Sequence, residues 1–124
     1  MKGKLWGHDV VAVVCGIGKV NAAICTQLLI SEYEVTHIIN VGVAGGLSNN
    51  LKVLDIVVGE KLVQHDFDIT AFDHEKGFIP NCGVYLNSDD YLLNITKNIL
   101  IENINIHEGV IASGDIFCTD KHMS

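Results

Sequence analysis

The stretch Val10-Val11-Ala12-Val13-Val14-Cys15-Gly16-Ile17-Gly18-Lys19-Val20-Asn21-Ala22-Ala23 decides the fold class. Val10 to Val14 is apolar at every position, the pattern of a strand covered on both faces. The run stops at Gly16-Ile17-Gly18. Ala22, Ala23, Thr26, Leu29 and Ile30 then recur at helical spacing, which predicts a helix over Lys19 to Ser31. A buried strand that turns through glycine straight into a helix is the building unit of α/β folds.

Working outward, the same alternation continues. Lys4-Leu5-Trp6 pairs with the Val10 run through a turn at Gly7-His8-Asp9. Val35 to Val41 reads as a second buried strand, ending at Gly42-Val43-Ala44-Gly45-Gly46. Val53 to Val58 is a third, reaching towards Val63. Gln64 to Asn87 has no period and carries Gly77, Pro80 and Gly83, so it reads as a long loop, which in a compact domain is usually functional. Ser88-Asp89-Asp90 opens a helix to about Ile101, with Ser88 as N-cap. Ile104 to Ala112 is a last strand, ending at Ser113-Gly114-Asp115. The expectation is one α/β domain with a largely parallel or mixed sheet. Ligands of such sheets bind beyond the carboxyl ends of the strands, where three small-residue loops fall here: 16–18, 43–46 and 113–115.

Composition excludes several classes. The 124 residues suit one domain, and 48% hydrophobic residues can build a core. The net charge of −7 argues against a nucleic-acid surface. All 8 basic residues are Lys. The most apolar runs fall short of the roughly 18 residues of a membrane span. Cys15, Cys25, Cys82 and Cys118 form no CxxC pair, so a zinc ribbon is not expected and the chain reads as reduced and cytoplasmic.

Two nucleotide motifs fail on inspection. Gly16-Ile17-Gly18-Lys19 is not a phosphate loop, because Val20 follows the Lys where Ser or Thr is needed. The dinucleotide fingerprint fails at Asn21, and no acid ends the next strand to hold a ribose. His65-Asp66-Phe67-Asp68 and Asp73-His74-Glu75 supply suitable metal donors but no recognised ligand spacing, so no metal is expected. Phe72, Phe78 and Ile79-Pro80 are either tucked under the loop or part of a ligand or subunit contact.

Four segments together carry a family resemblance. Cys15 to Ala23, Ile39 to Leu47 with Leu51 to Val58, His65 to Phe72, and Ser113-Gly114-Asp115-Ile116-Phe117 resemble, in order and spacing, the signatures of the 5′-methylthioadenosine/S-adenosylhomocysteine nucleosidases. The resemblance implies part of a three-layer nucleoside phosphorylase-like fold, with a central mixed β-sheet flanked by helices. It also implies hydrolysis of the bond between adenine and a 5′-thio-substituted ribose, in a cytoplasmic homodimer without cofactor. A phosphorylase or a futalosine-type hydrolase of the same superfamily is the alternative. An inactive remnant or assembly module is the non-enzyme alternative.

Residue by residue, the resemblance puts the Gly45 backbone over the ribose and water, with Val43 and Ala44 beside it. Many members have Ser where Val43 stands. Ile17, Ile69, Phe72 and Pro80 match the lining of the apolar alkylthio pocket. Phe117 matches the residue stacking near adenine, and Cys118 the one whose backbone reads the adenine edge. His74 stands where Tyr is often found, on a loop that in the family reaches into the partner's site. None of Asp55, Asp66, Asp68 and Asp115 matches a catalytic position. The resemblance places the water-activating Glu before Met1. It places the ribose-binding Met-Glu pair and the purine-protonating Asp after Ser124. The chain is therefore expected to be one incomplete domain over 1–124, lacking the first strand and the C-terminal part, with no catalytic residue and no activity alone. Such chemistry needs an acid for the purine and a base for water as the sugar becomes oxocarbenium-like. The lack of Arg favours water over phosphate as attacking group.

Overall fold

A computed structural model describes residues 1–119. The chain divides into two compact units, Met1–Val43 and Ala44–Ser124.

In the first unit, β1 (Lys2–Leu5) and β2 (His8–Val11) form an antiparallel hairpin with Leu5 opposite His8. The turn is Trp6-Gly7, with φ of 46° and 81°. Positive φ at both central residues is the type I′ requirement, which matches the twist of the strands. The expected Gly7-His8-Asp9 turn is thus corrected to Trp6-Gly7, because the register puts His8 and Asp9 inside β2. The Met1 ammonium group donates to the Ala12 carbonyl at 2.7 Å, and Ala12 N–H donates back to Met1 at 2.8 Å. The helix α1 spans Lys19–Tyr33, starting where its apolar spacing starts and running two residues past Ser31. Gly16 and Gly18 both have positive φ. The Asn21 side chain donates to the Ile17 carbonyl at 2.7 Å and sits 3.2 Å from where a Gly16 Cβ would be. That packing is why this turn carries glycine. Glu34 ends the helix in the left-handed region, a conformation that composition does not announce for Glu.

The second unit is built on a mixed sheet in the order β4-β3-β5. The central β3 (Ile56–Gln64) pairs in parallel with β5 (Ile106–Ser113) and antiparallel with the short β4 (Leu86–Asn87). Ile56 faces Ile106 and Gln64 faces Ser113, with an irregularity between Gly59 and Lys61. A Cβ on Gly59 would lie 2.9 Å from Ile111 Cδ1, so a larger residue there would have to displace the tip of the Ile111 side chain. The helix α2 (Asp90–Thr96) is capped by Asp89, whose carboxylate accepts from Leu92 N–H at 3.0 Å. The expected cap, Ser88, instead donates its hydroxyl to the Gly59 carbonyl, a tertiary bond that local sequence cannot show. The helix also stops short of Ile101. Thr96 and Asn98 turn their side chains back onto the carbonyls of Leu93 and Asn94, and backbone bonds from Asn98 to Ile95 and from Ile99 to Thr96 tighten the chain into turns.

Two expected strands are corrected. Val35 to Val41 and Val13-Val14 join no sheet among the described residues. Val14 is 96% exposed and Val41 88%, and no apolar side chain is fully buried among the described residues. An apolar run becomes a buried strand only when neighbours take its N–H and C=O groups and cover both faces. The expected strand at Val53 starts instead at Ile56, because Lys52 to Asp55 is a turn with Leu54 at φ 77°. Leucine in that region carries no sequence signal for a turn.

Candidate functional site

Parallel pairing brings the carboxyl ends of β3 and β5 to one edge of the sheet, the edge where α/β sheets bind ligands. His65 N–H donates to the Ser113 carbonyl at 3.1 Å, continuing the ladder past the last strand pair. The Asp66 carboxylate then accepts from the Asp115 backbone N–H at 2.8 Å. Gly114 lies under both side chains. A Cβ there would be 2.7 Å from His65 Nε2 and 2.8 Å from Asp66 Cγ. Glycine at 114 is thus a matter of space. Beyond it, Cys118 Sγ lies 3.7 Å from His65 Nε2, and the Phe117 ring is 91% exposed beside it.

The 64–87 segment leaves the same edge and is more structured than its sequence suggests. Gly77 N–H donates to the Phe67 carbonyl at 2.8 Å, closing the loop on itself. Gly77 has φ 87° and sits 3.0 Å, at its would-be Cβ, from Val63 Cγ2. The 3-10 turn Thr70–Phe72 is started by Asp68, whose carboxylate accepts from Thr70 N–H at 2.9 Å. That backbone donor is the main reason the Asp68 carboxyl is held below its ordinary value. His74 stacks on Phe78 with centroids 4.2 Å apart and rings 10° from parallel. Pro80 and Asn81 occupy the middle of a turn closed by Cys82 N–H on the Ile79 carbonyl, Asn81 having φ 66°. Pro followed by a residue at positive φ is the type II pattern.

The sequence-derived binding residues distribute as follows. Ile17, 95% exposed, and Val43 belong to the first unit. Ala44 and Gly45 begin the second unit and are exposed. Phe117 and Cys118 follow β5 at the carboxyl edge, where Cys118 meets His65. Ile69 is half-buried at the 3-10 turn, while Phe72, His74 and Pro80 are exposed on the loop. The loop aromatics differ from each other. Phe72 is 75% exposed, whereas Phe78 is partly covered and lies against His74. Sequence reasoning missed the part of His65 and Asp66 in holding 113–118. The signal was present in the strand-end position of both segments. Among the described residues, no group of three or more His, Cys, Asp or Glu side chains converges on a metal position, and no helix is long and apolar enough to cross a membrane.

The sequence profile described as Phosphorylase superfamily matches residues 1–123. The chain belongs to the phosphorylase superfamily. Within the superfamily it is 40% identical over 123 residues to the 5′-methylthioadenosine/S-adenosylhomocysteine nucleosidase of Bacillus thuringiensis subsp. konkukian (strain 97-27), covering 98% of this chain and 53% of that protein. A crystal structure of such a nucleosidase from Colwellia psychrerythraea 34H, in complex with adenine, matches with a TM-score of 0.93 at 40% identity, over 98% of this chain and 52% of that one. The native futalosine hydrolase of Helicobacter pylori strain 26695 matches with a TM-score of 0.91 at 36% identity, over 98% and 53%. The chain spans about half the length of the curated relatives it matches. The α/β class with a mixed sheet is that of the nucleoside phosphorylase-like fold.

Proposed function

We propose that this chain contributes the purine and thioalkyl side of an N-glycosyl hydrolase that releases adenine from 5′-methylthioadenosine and S-adenosylhomocysteine. The likeness to an adenine-bound nucleosidase, at 40% identity across 98% of the chain, carries this reading. In it, the Gly45 backbone lies over the ribose and water, with Ala44 and Val43 alongside. Phe117 stacks near adenine and the Cys118 backbone reads its edge. Ile69, Phe72 and Pro80 line the apolar slot for the thioalkyl group, with His74 at its rim. An apolar slot accepts a thioether and rejects a charged phosphate ester. The exposed Phe72 and Phe117 rings support the assignment, since each offers apolar area for a ligand to cover. No catalytic carboxylate is assigned to these residues. The working enzyme is proposed to be a cytoplasmic homodimer serving methionine salvage.

A second reading rests on the futalosine hydrolase likeness at TM-score 0.91. One assay separates the readings. Full-length protein is incubated with methylthioadenosine, with and without phosphate, and with futalosine, and the released base is quantified by chromatography. Equal adenine release with and without phosphate supports the nucleosidase. Strict phosphate dependence assigns a phosphorylase instead, and turnover of futalosine alone assigns the second reading.

A further inference from the structure

Among the described residues, the segment that follows β5 meets the dipeptide that follows β3 at two points. The Asp66 carboxylate accepts from Asp115 N–H at 2.8 Å, across 49 residues of sequence. His65 Nε2 lies 3.7 Å from Cys118 Sγ, across 53 residues. Between these points, Gly114 leaves no space for a side chain under His65 and Asp66. The Phe117 ring, at 91% exposure, has little packing to fix its backbone. His65 and Asp66 therefore help to set the path of 115–118.

We infer that Asp66, assisted by His65, is a positioning residue for purine recognition: it sets the backbone at 115–118 so that Phe117 and Cys118 meet the base. This rests on the assignment of Phe117 and Cys118 to adenine made above. Asp66 acts through the Asp115 amide, and its loss weakens base binding without altering which bond is cleaved. Preorganising a recognition segment reduces the ordering that binding must otherwise supply.

The test measures adenine binding to the full-length protein by calorimetry, together with amide hydrogen exchange at 115–118 and in α2. Asp66→Ala is expected to weaken adenine about tenfold, the scale of one lost charge-assisted hydrogen bond. Exchange at 115–118 should quicken while α2 keeps its wild-type rate. Asp66→Asn retains an oxygen acceptor and should stay within about twofold of wild type. Faster exchange in Asp66→Ala with wild-type adenine affinity overturns the inference, leaving Asp66 a merely structural tie. Equal losses in Asp66→Asn and Asp66→Ala overturn it too, since the oxygen acceptor would then be irrelevant. If Asp66→Ala also loosens α2, Gly114→Ala replaces it. That variant keeps the carboxylate but crowds the His65 and Asp66 side chains that tie the segment, so reduced adenine affinity supports the inference and wild-type affinity overturns it. Wild-type protein that binds no adenine overturns the purine assignment itself, an outcome distinct from a wild type that binds and a variant that matches it.

Discussion

The Asp55 carboxylate accepts a hydrogen bond from His107 Nε2 at 3.0 Å, joining the residue before β3 to the second residue of β5. This link lies at the amino ends of the two parallel strands, opposite the candidate site. Asp55 also accepts from Lys52 N–H at 2.9 Å and Asn105 Nδ2 at 3.5 Å. The Asp55 side chain is only 8% exposed. The amino edge is thus a structural clamp, while the carboxyl edge holds the segment 115–118 that is proposed to meet the base.

The clamp makes stability depend on acid. The Lys52 backbone donor first, and then His107, hold the Asp55 carboxyl below its ordinary value of 3.8. A carboxyl that ionises more readily folded than unfolded stabilises the fold above its unfolded value, and that contribution is lost as pH falls through the lower folded value. Denaturant midpoints followed from pH 6 to about pH 2 should therefore fall on the acid side of pH 4 (roughly the carboxylate range). Asp55→Asn should be less stable than wild type at pH 6 and should lose part of this acid-side dependence. An unchanged pH profile in Asp55→Asn would show the clamp to be unimportant.

Leu54 offers a stabilising substitution. It holds φ 77° in the turn before β3 and is 84% exposed. An L-residue in this region costs about 1–2 kcal/mol, against about 0.5–1 kcal/mol for the extra chain entropy of glycine. Leu54→Gly should therefore raise stability by a few tenths to about 1 kcal/mol, read as a higher urea midpoint at constant slope. A lower midpoint would mean that the Leu54 side chain contributes packing its exposure does not reveal.

Asp89 provides the side-chain cap of α2 through Leu92 N–H. Asp89→Ala should cost about 1 kcal/mol, and Asp89→Ser much less, because the hydroxyl can take over the bond. Ser88→Ala should behave differently, since Ser88 bonds the Gly59 carbonyl and not the helix. Far-ultraviolet dichroism during urea unfolding separates these effects. Equal losses at 88 and 89 with equal helix content would contradict the assigned cap.

Phe72 distinguishes a binding role from a packing role. At 75% exposure its removal should change stability by less than about 0.5 kcal/mol. If it lines the thioalkyl slot, Phe72→Ala should raise KM for methylthioadenosine about tenfold, the scale of burying part of an aromatic ring, while leaving free adenine binding near wild type. Equal loss for both ligands would move Phe72 out of the slot.

Much of this architecture was legible in the residues. Local signals sufficed for the start of α1 after Gly18, the presence of β3 and β5, and the existence of a hairpin before Ala12. They failed where one residue's role depended on a distant one. Ser88 looks like a cap until Gly59 is seen beside it. Leu54 looks like strand until its φ is known. Val35 to Val41 has the composition of a buried strand but no ladder partner among the described residues.

The sequence by itself determined the α/β class, the glycine turn into α1 and the family resemblance. Hydrophobic period, glycine placement and turn chemistry act over a few residues, so a linear reading captures them. Only the tertiary structure decided that His65 and Asp66 hold the segment after Gly114, and that Asp55 clamps the opposite edge through His107. Those contacts depend on the parallel register of β3 and β5, in which Gln64 faces Ser113. Register is set by side-chain packing across the whole pair of strands, and no short stretch of either strand encodes it.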